Sequence, residues 1–86
     1  MLKKKPIQVN HDTVADVLYI VFGENRPSYA EDIGEGVYVR YDMKTNELVG
    51  ITILDFTKRA KGEVFKIIQA ENIVPKEDQE SLHFLH

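Results

Sequence analysis

Two aspartates and a histidine form the group of residues best placed to do chemistry. His11, Asp12 and Asp16 lie within six consecutive positions. A pair of carboxylates can act in general acid–base catalysis or bind a hard cation, and a histidine titrates near neutral pH. Aspartate is also a favoured turn residue, and no third ligand lies nearby in the sequence. We therefore expect Asp12 and Asp16 to close the two ends of a hairpin turn, and a small enzyme using His11, Asp12 and Asp16 is the alternative.

Two further clusters could also carry chemistry. Glu31, Asp32 and Glu35 are close in sequence, and His83 and His86 have the spacing of two metal ligands on one helix face. Acidic residues on an edge strand discourage strands of different molecules from pairing, so the acidic cluster favours a solvated sheet edge. A chain terminus ties down neither histidine. The sequence therefore predicts no metal and no cofactor.

The charge is unevenly distributed along the chain. Residues 6–56 contain nine acidic and three basic residues, whereas the segment Lys58-Arg59-Ala60-Lys61 is basic. That short segment could meet a phosphate group, but a solvated basic surface is the simpler interpretation. An acidic sheet repels phosphate backbones, so the charge pattern argues against nucleic acid as a partner.

Length and composition limit the class of protein. A chain of 86 residues with 43% hydrophobic residues fits one small globular domain with a thin core. It has no cysteine, which leaves no disulfide framework and favours the cytoplasm. Polar residues after Pro6 interrupt any signal-peptide core, and no apolar run is long enough to span a membrane.

Three segments alternate with a period of two and are rich in β-branched and aromatic residues, at positions 17–22, 37–41 and 48–54. Short turns of Asp, Asn and Gly bound them, which predicts an antiparallel β-meander. Shorter strands are expected over Ile7–Val9 and at 29–33, giving four to five strands. Gly50, in the middle of a strand, indicates a bulge or a close approach by another side chain.

After Phe56 the spacing changes to that of a helix. We expect one C-terminal α-helix over roughly 58–71, with a strand over 63–68 as the alternative. Pro75 ends either element. The predicted fold class is therefore α+β, with a single domain over 1–75 and a mobile C-terminal tail over 76–86.

Alternation along the strands assigns side chains to two faces of the sheet. The predicted core face holds Leu18, Ile20, Phe22, Val37, Val39, Tyr41, Val49, Ile51 and Ile53. The opposite face is also apolar, and we call it the open face; its residues are Val17, Tyr19, Val21, Tyr38 and Arg40. One helix covers about one face of a sheet. The open face is therefore either an interface or is covered by the chain's own C-terminal segment.

Three stretches together resemble the small bacterial proteins of domain of unknown function 2283. They are Asp12-Thr-Val-Ala-Asp16-Val-Leu-Tyr-Ile20, Gly36-Val37 with Tyr41-Asp42, and Leu48-Val-Gly-Ile-Thr-Ile-Leu-Asp55. The resemblance covers roughly positions 7 to 57, and the chain departs from the pattern with His11 where a tyrosine is usual. It implies a small β-rich domain in a bacterial cytoplasm and transfers no catalytic residue. Some relatives look like the antitoxin half of paired small operons.

These observations favour a protein-binding module over an enzyme. We expect a homodimer, or binding to another small protein, with the open face as the interface. The alternative is an antitoxin-like role, in which the segment after Ile73 becomes ordered on a small toxin.

Overall fold

The computed structural model describes residues 6–59 together with Glu63 and Lys66. Residues 6–59 form five strands followed by a 3-10 turn at Phe56–Lys58. The strands are β1 (Ile7–Asp12), β2 (Val17–Phe22), β3 (Ser28–Gly34), β4 (Val37–Asp42) and β5 (Leu48–Leu54). All pairings are antiparallel, which confirms the predicted sheet. The first strand is longer than predicted, because the residues after Val9 continue to pair with β2 as far as Asp12.

The strands lie in the order β1-β2-β5-β4-β3. Strands β3, β4 and β5 form a meander, and the β1–β2 hairpin joins it through pairing of β2 with β5. The segment 23–27 must therefore pass the ends of β5 and β4 to reach β3. Arg26 in this segment places Nη1 3.0 Å from Asp42 Oδ2 and 3.4 Å from Glu47 Oε1. This ion pair fixes the crossing segment to the turn between β4 and β5.

The core lies on one face of the sheet, in rows of directly paired residues. Ile51 pairs with Ile20 on one side and Val39 on the other, and Ile53 pairs with Leu18 and Val37 in the same way. The buried residues confirm the predicted core face, namely Leu18, Ile20, Phe22, Val37, Val39, Val49, Ile51 and Ile53. Tyr41 is the exception. It is half-buried and contacts the Tyr29 ring at a centroid distance of 5.6 Å.

A bulge interrupts the pairing of β4 with β5 next to Tyr41. Arg40 pairs with Gly50 and Tyr41 pairs with Leu48, so Val49 is the extra residue of β5. The bulge predicted from Gly50 is therefore confirmed. The close approach to Gly50 comes from backbone, because a β-carbon there would lie against the Ile20 carbonyl oxygen and not against a side chain.

The C-terminal α-helix predicted over roughly 58–71 is not confirmed. Its start lies in the 3-10 turn, and beyond Arg59 only Glu63 and Lys66, both exposed, are described. The alternative strand over 63–68 and the tail over 76–86 also fall largely outside the described residues. Within the described part of the chain, no helix has the length and apolar character needed to cross a membrane.

Candidate functional site

Asp12 closes the turn between β1 and β2, as predicted. Its Oδ1 accepts hydrogen bonds from the backbone N–H groups of Val14 (3.0 Å) and Ala15 (3.1 Å). This short-range bonding is the reason aspartate begins turns, since the carboxylate satisfies N–H groups that the sheet leaves unpaired. Asp12 therefore has a local structural task.

The turn between β4 and β5 is built in the same way. Asp42 Oδ1 accepts from the N–H groups of Lys44 (2.7 Å) and Thr45 (3.1 Å). Asp16 and Asn46 lie four residues after Asp12 and Asp42, respectively. Each has a left-handed backbone conformation, with φ 56° at Asp16 and 62° at Asn46. Aspartate and asparagine tolerate that conformation better than most residues. The two hairpins thus share one turn design, in which the side chain of the last residue is free for another task.

Asp16 uses that freedom to bind a distant segment. Its Oδ2 accepts from Thr57 Oγ1 at 2.6 Å, and both carboxylate oxygens lie 3.2 Å from the Thr57 backbone N–H. Its Oδ1 also accepts from His11 Nε2 at 2.9 Å. The Asp16 carbonyl accepts from the Phe56 N–H at 3.1 Å, and the Phe56 ring packs edge-on against His11 at 5.4 Å. We call His11, Asp16, Phe56 and Thr57 the carboxylate cluster.

The carboxylate cluster is better suited to holding segments together than to catalysis. The Thr57 hydroxyl, then the His11 ring and the Thr57 N–H, hold the pKa of Asp16 below its ordinary value, so this carboxylate is a poor base. Activation of a hydroxyl nucleophile requires a histidine between it and the acid, whereas here the hydroxyl and the imidazole both donate to the acid. The structure therefore brings His11 and Asp16 together, with Asp12 occupied in the turn, in a geometry that ties the first hairpin to the segment after β5.

Sequence reasoning missed the partners of this cluster. Thr57 lies 41 positions from Asp16, and a hydroxyl residue after a strand carries no signal of its own. Sequence reasoning also gives Arg59 a different role, as part of a basic segment that is solvated or meets a phosphate group. Its Nε donates to the Leu54 carbonyl at 2.7 Å, and its guanidinium donates to the Glu35 carbonyl. Arg59 therefore satisfies a backbone carbonyl at the end of β5 and another in the turn between β3 and β4.

Acid should destabilise the fold through Asp16 and Asp42. Backbone N–H groups of the β4–β5 turn and Arg26 likewise hold the pKa of Asp42 below its ordinary value. The unfolded chain then binds more protons than the folded one as the pH falls from about 6 to about 2, and the free energy of unfolding decreases over that range. Asp16→Asn should reduce this dependence, because asparagine keeps the turn conformation but cannot titrate. Urea melts followed by circular dichroism at several pH values measure both slopes.

Thr57→Val provides a second, independent test of this prediction. It removes the hydroxyl that contributes most to lowering the Asp16 pKa and keeps the β-branched shape. We expect a weaker acid dependence in this variant as well. Equal slopes in the wild type and in both variants would show that the carboxylate cluster does not contribute to stability through its charge.

The other candidate clusters are placed as follows. Glu31 and Asp32 lie exposed on β3, an edge strand, as expected for a solvated acidic edge, and Glu35 is in the turn that follows. His83 and His86 lie outside the described residues. Among residues 6–59, Glu63 and Lys66, no group of three or more side chains is arranged to hold a metal ion.

The open face is made by neighbouring positions of three strands. Tyr19 on β2 and Tyr38 on β4 flank Thr52 of β5, and Val21 and Arg40 flank Gly50 in the next row. Tyr19 is 37% exposed, whereas Val21, Tyr38 and Arg40 are half-buried.

Thr52 and Gly50 of the central strand thus lie between larger side chains, and Gly50 is buried. Two of the predicted interface residues have partners within the chain. Val17 is buried opposite Leu54, and Arg40 donates to Ser28 Oγ (3.0 Å) and Asn25 Oδ1 (3.1 Å).

Comparison with known proteins adds a family and no activity. Neither a search of curated proteins nor a search of solved structures found a match to this chain. Residues 8–56 match the family described as "Protein of unknown function (DUF2283)", and this match spans β1 to the start of the 3-10 turn. The matched segment includes Asp16, Gly50 and the two turns that begin at Asp12 and Asp42. Because the match covers more than half of the sequence, the chain belongs to the DUF2283 family.

Proposed function

We propose that this chain is a protein-binding module that pairs with a second copy of itself through the open face. The observation that carries the proposal is Tyr19, a large aromatic side chain 37% exposed on β2, which has a strand on either side. A tyrosine exposed on an edge strand is common, whereas an exposed ring on a strand with neighbours on both sides supports an interface on that face. Tyrosine is among the residues that contribute most to protein interfaces.

The surroundings of Tyr19 resemble the anatomy of an interface. Val21 and Tyr38 supply half-buried apolar surface beside it, around the half-buried Thr52. Charged groups lie towards the rim, with Asp12 opposite Val17 on β1 and Asp32 opposite Tyr38 on β3. An apolar centre with a polar rim is the usual arrangement of protein interfaces.

A symmetric dimer is the simplest way to bury such a face. The same patch on two copies is self-complementary in a twofold arrangement, and twofold dimers are the commonest oligomers. The guanidinium of Arg40 already donates to two neutral acceptors within its own chain, so part of its hydrogen-bonding capacity is satisfied before the two copies pair. The lack of cysteine, and so of any disulfide, supports a reducing compartment such as the cytoplasm as the place in which the module acts.

Tyr19→Glu should weaken dimer formation. Burying a glutamate carboxylate without a partner is costly, so the dissociation constant should rise by about tenfold or more. Met43→Glu is the matched control. Met43 is 65% exposed in the turn between β4 and β5, away from the open face, and the same change of charge there should leave association unaltered. Sedimentation equilibrium of the three proteins at micromolar to millimolar concentration measures the effect, with circular dichroism to verify folding.

Two outcomes would contradict the proposal. A wild-type protein that is monomeric at every concentration does not self-associate, and the face is then left to a foreign protein or to the chain's own C-terminal segment. A Tyr19→Glu protein that dimerises as tightly as the wild type places the interface on another surface.

A further inference from the structure

We infer that the outer edge of β1 pairs in antiparallel fashion with β1 of a second copy, joining two five-stranded sheets into one ten-stranded sheet. This contact uses backbone groups at the edge of the sheet. It is therefore a different surface from the open face and does not depend on the proposed function.

The two edges of the sheet differ in their protection. The β3 edge carries exposed Glu31 and Asp32 and an irregular register between Asp32 and Gly34. Charge and bulges of this kind are the usual means by which proteins prevent edge-to-edge pairing. The β1 edge has neither feature. Residues 6–11 carry no formally charged side chain at pH 7, and β1 pairs with β2 without a register shift from Ile7 to Asp12.

The backbone groups that β1 presents outward can be identified. The Pro6 carbonyl accepts from the Gly23 N–H at 2.8 Å, so the backbone of residue 6 faces β2. In an antiparallel pair the residues that bond the neighbouring strand alternate, so Gln8, Asn10 and Asp12 also face β2. The N–H and C=O groups of the residues between them, Ile7, Val9 and His11, therefore point away from the sheet. These are the groups that a further strand would bond.

The outward groups are symmetric about Val9. A twofold axis at Val9 pairs it with its own copy, pairs Ile7 with His11, and sets Gln8 beside Asn10. Val9 is 48% exposed, so the two valines would bury apolar surface against each other. Gln8 and Asn10 are both exposed, and their amides can donate and accept across the axis. The strand is thus complementary to itself in every row.

Charge favours the same antiparallel arrangement. Asp12 lies at the end of β1, and in sequence three lysines, residues 3–5, precede its start. Antiparallel pairing directs the basic end of one chain towards the acidic end of the other, whereas parallel pairing would bring like charges together. The carboxylate cluster also supports the strand, because His11 is fixed by Asp16 and Phe56 on the core side while its backbone stays available.

Amide hydrogen exchange of the wild-type protein tests this contact directly. As the protein concentration rises to a level that gives dimers, the amides of Val9 and His11 should become about tenfold or more slower to exchange. The amide of Asn10 faces β2 and should be protected at every concentration, which makes it an internal control. Val9 and His11 amides that exchange equally fast at all concentrations would overturn the inference.

A pair of variants at Val9 provides the second test. Val9→Lys would bring two positive charges together on the axis and should abolish the concentration-dependent protection. Val9→Thr, similar in shape and uncharged, should preserve it. Because Val9 is about half exposed, neither change removes a core residue. Equal protection in Val9→Lys and the wild type would contradict the inference.

The same measurements separate the two contacts. If Tyr19→Glu keeps the Val9 protection, the edge pairing is correct and independent of the open face; if this variant also associates as tightly as the wild type, the open-face proposal is wrong. If the wild type dimerises while the Val9 and His11 amides stay unprotected, the edge inference is wrong and the open-face proposal stands. Where both contacts form, sedimentation should detect tetramers, since two ten-stranded sheets can then pack through their open faces.

Discussion

Replacing Ile51 with alanine should lower the free energy of unfolding by roughly 2 to 4 kcal/mol. Ile51 lies on β5, the central strand of the sheet, and pairs with Ile20 and Val39 on the two sides. All three side chains are fully or almost fully buried. Truncation removes apolar contacts in both directions and leaves a cavity that the rigid strands cannot close. Because small domains have about 5 to 15 kcal/mol of stability in total, this loss is a large part of it.

Chemical denaturation of the wild type and the variant, at a concentration where both are monomeric, measures this loss. Val14→Ala is the matched control, because Val14 is 97% exposed in the first turn and its truncation should change stability by less than about 0.5 kcal/mol. A similarly small change for Ile51→Ala would mean that the core face is assigned to the wrong side of the sheet.

The core face could be predicted because strand alternation is a local property. Leu18, Ile20 and Phe22 alternate with Val17, Tyr19 and Val21, and the pleat alone places the two sets on opposite faces. Tyr41 is only half-buried, next to the point where one extra residue in β5 shifts the β4–β5 register. Gly50 signalled the bulge, but not that Val49 would be the extra residue.

The strand order could not be read from the sequence. The pairing of β2 with β5 depends on the segment 23–27 crossing two strand ends, and this crossing is fixed by Arg26 with Asp42 and Glu47. Arg26 and Asp42 are far apart in sequence, and neither residue type specifies its partner. The bond from Asp16 to Thr57 escaped prediction for the same reason, although the position of Asp16 at the end of a hairpin turn was predicted.

The candidate surfaces show the same difference between local patterns, which the sequence reveals, and long-range contacts, which it does not. Alternation identified Tyr19 and Tyr38 as neighbours on one face, and the structure places both on either side of Thr52. Alternation could not show that Val17 on that face is buried. It also missed the length of β1, because Asn10, His11 and Asp12 are poor strand formers that pair only because β2 offers a continuous partner.

Gly50→Ala should be a second strongly destabilising change, at the upper end of about 1 to 3 kcal/mol. A β-carbon at position 50 would lie well inside contact distance of the Ile20 carbonyl oxygen. A flexible side chain could move aside at little cost, but this neighbour is backbone in the β2–β5 pairing at the centre of the sheet. Alanine reduces the entropy of the unfolded chain, which contributes only about 0.4 to 1 kcal/mol in the opposite direction. The clash should therefore prevail.

Gly34→Ala distinguishes this clash from an effect of glycine's conformational freedom. Gly34 has φ 102° and nothing within 4 Å of the added carbon, so its cost is backbone strain without collision. Both variants should lose stability, but only Gly50→Ala should speed the exchange of amides in β2, because only there must two paired strands separate. Unchanged exchange in β2, or a Gly50→Ala protein as stable as the wild type, would show that β5 can move away from Ile20 at no cost. The open face would then deform easily, whereas the proposed dimer requires a rigid, preformed interface.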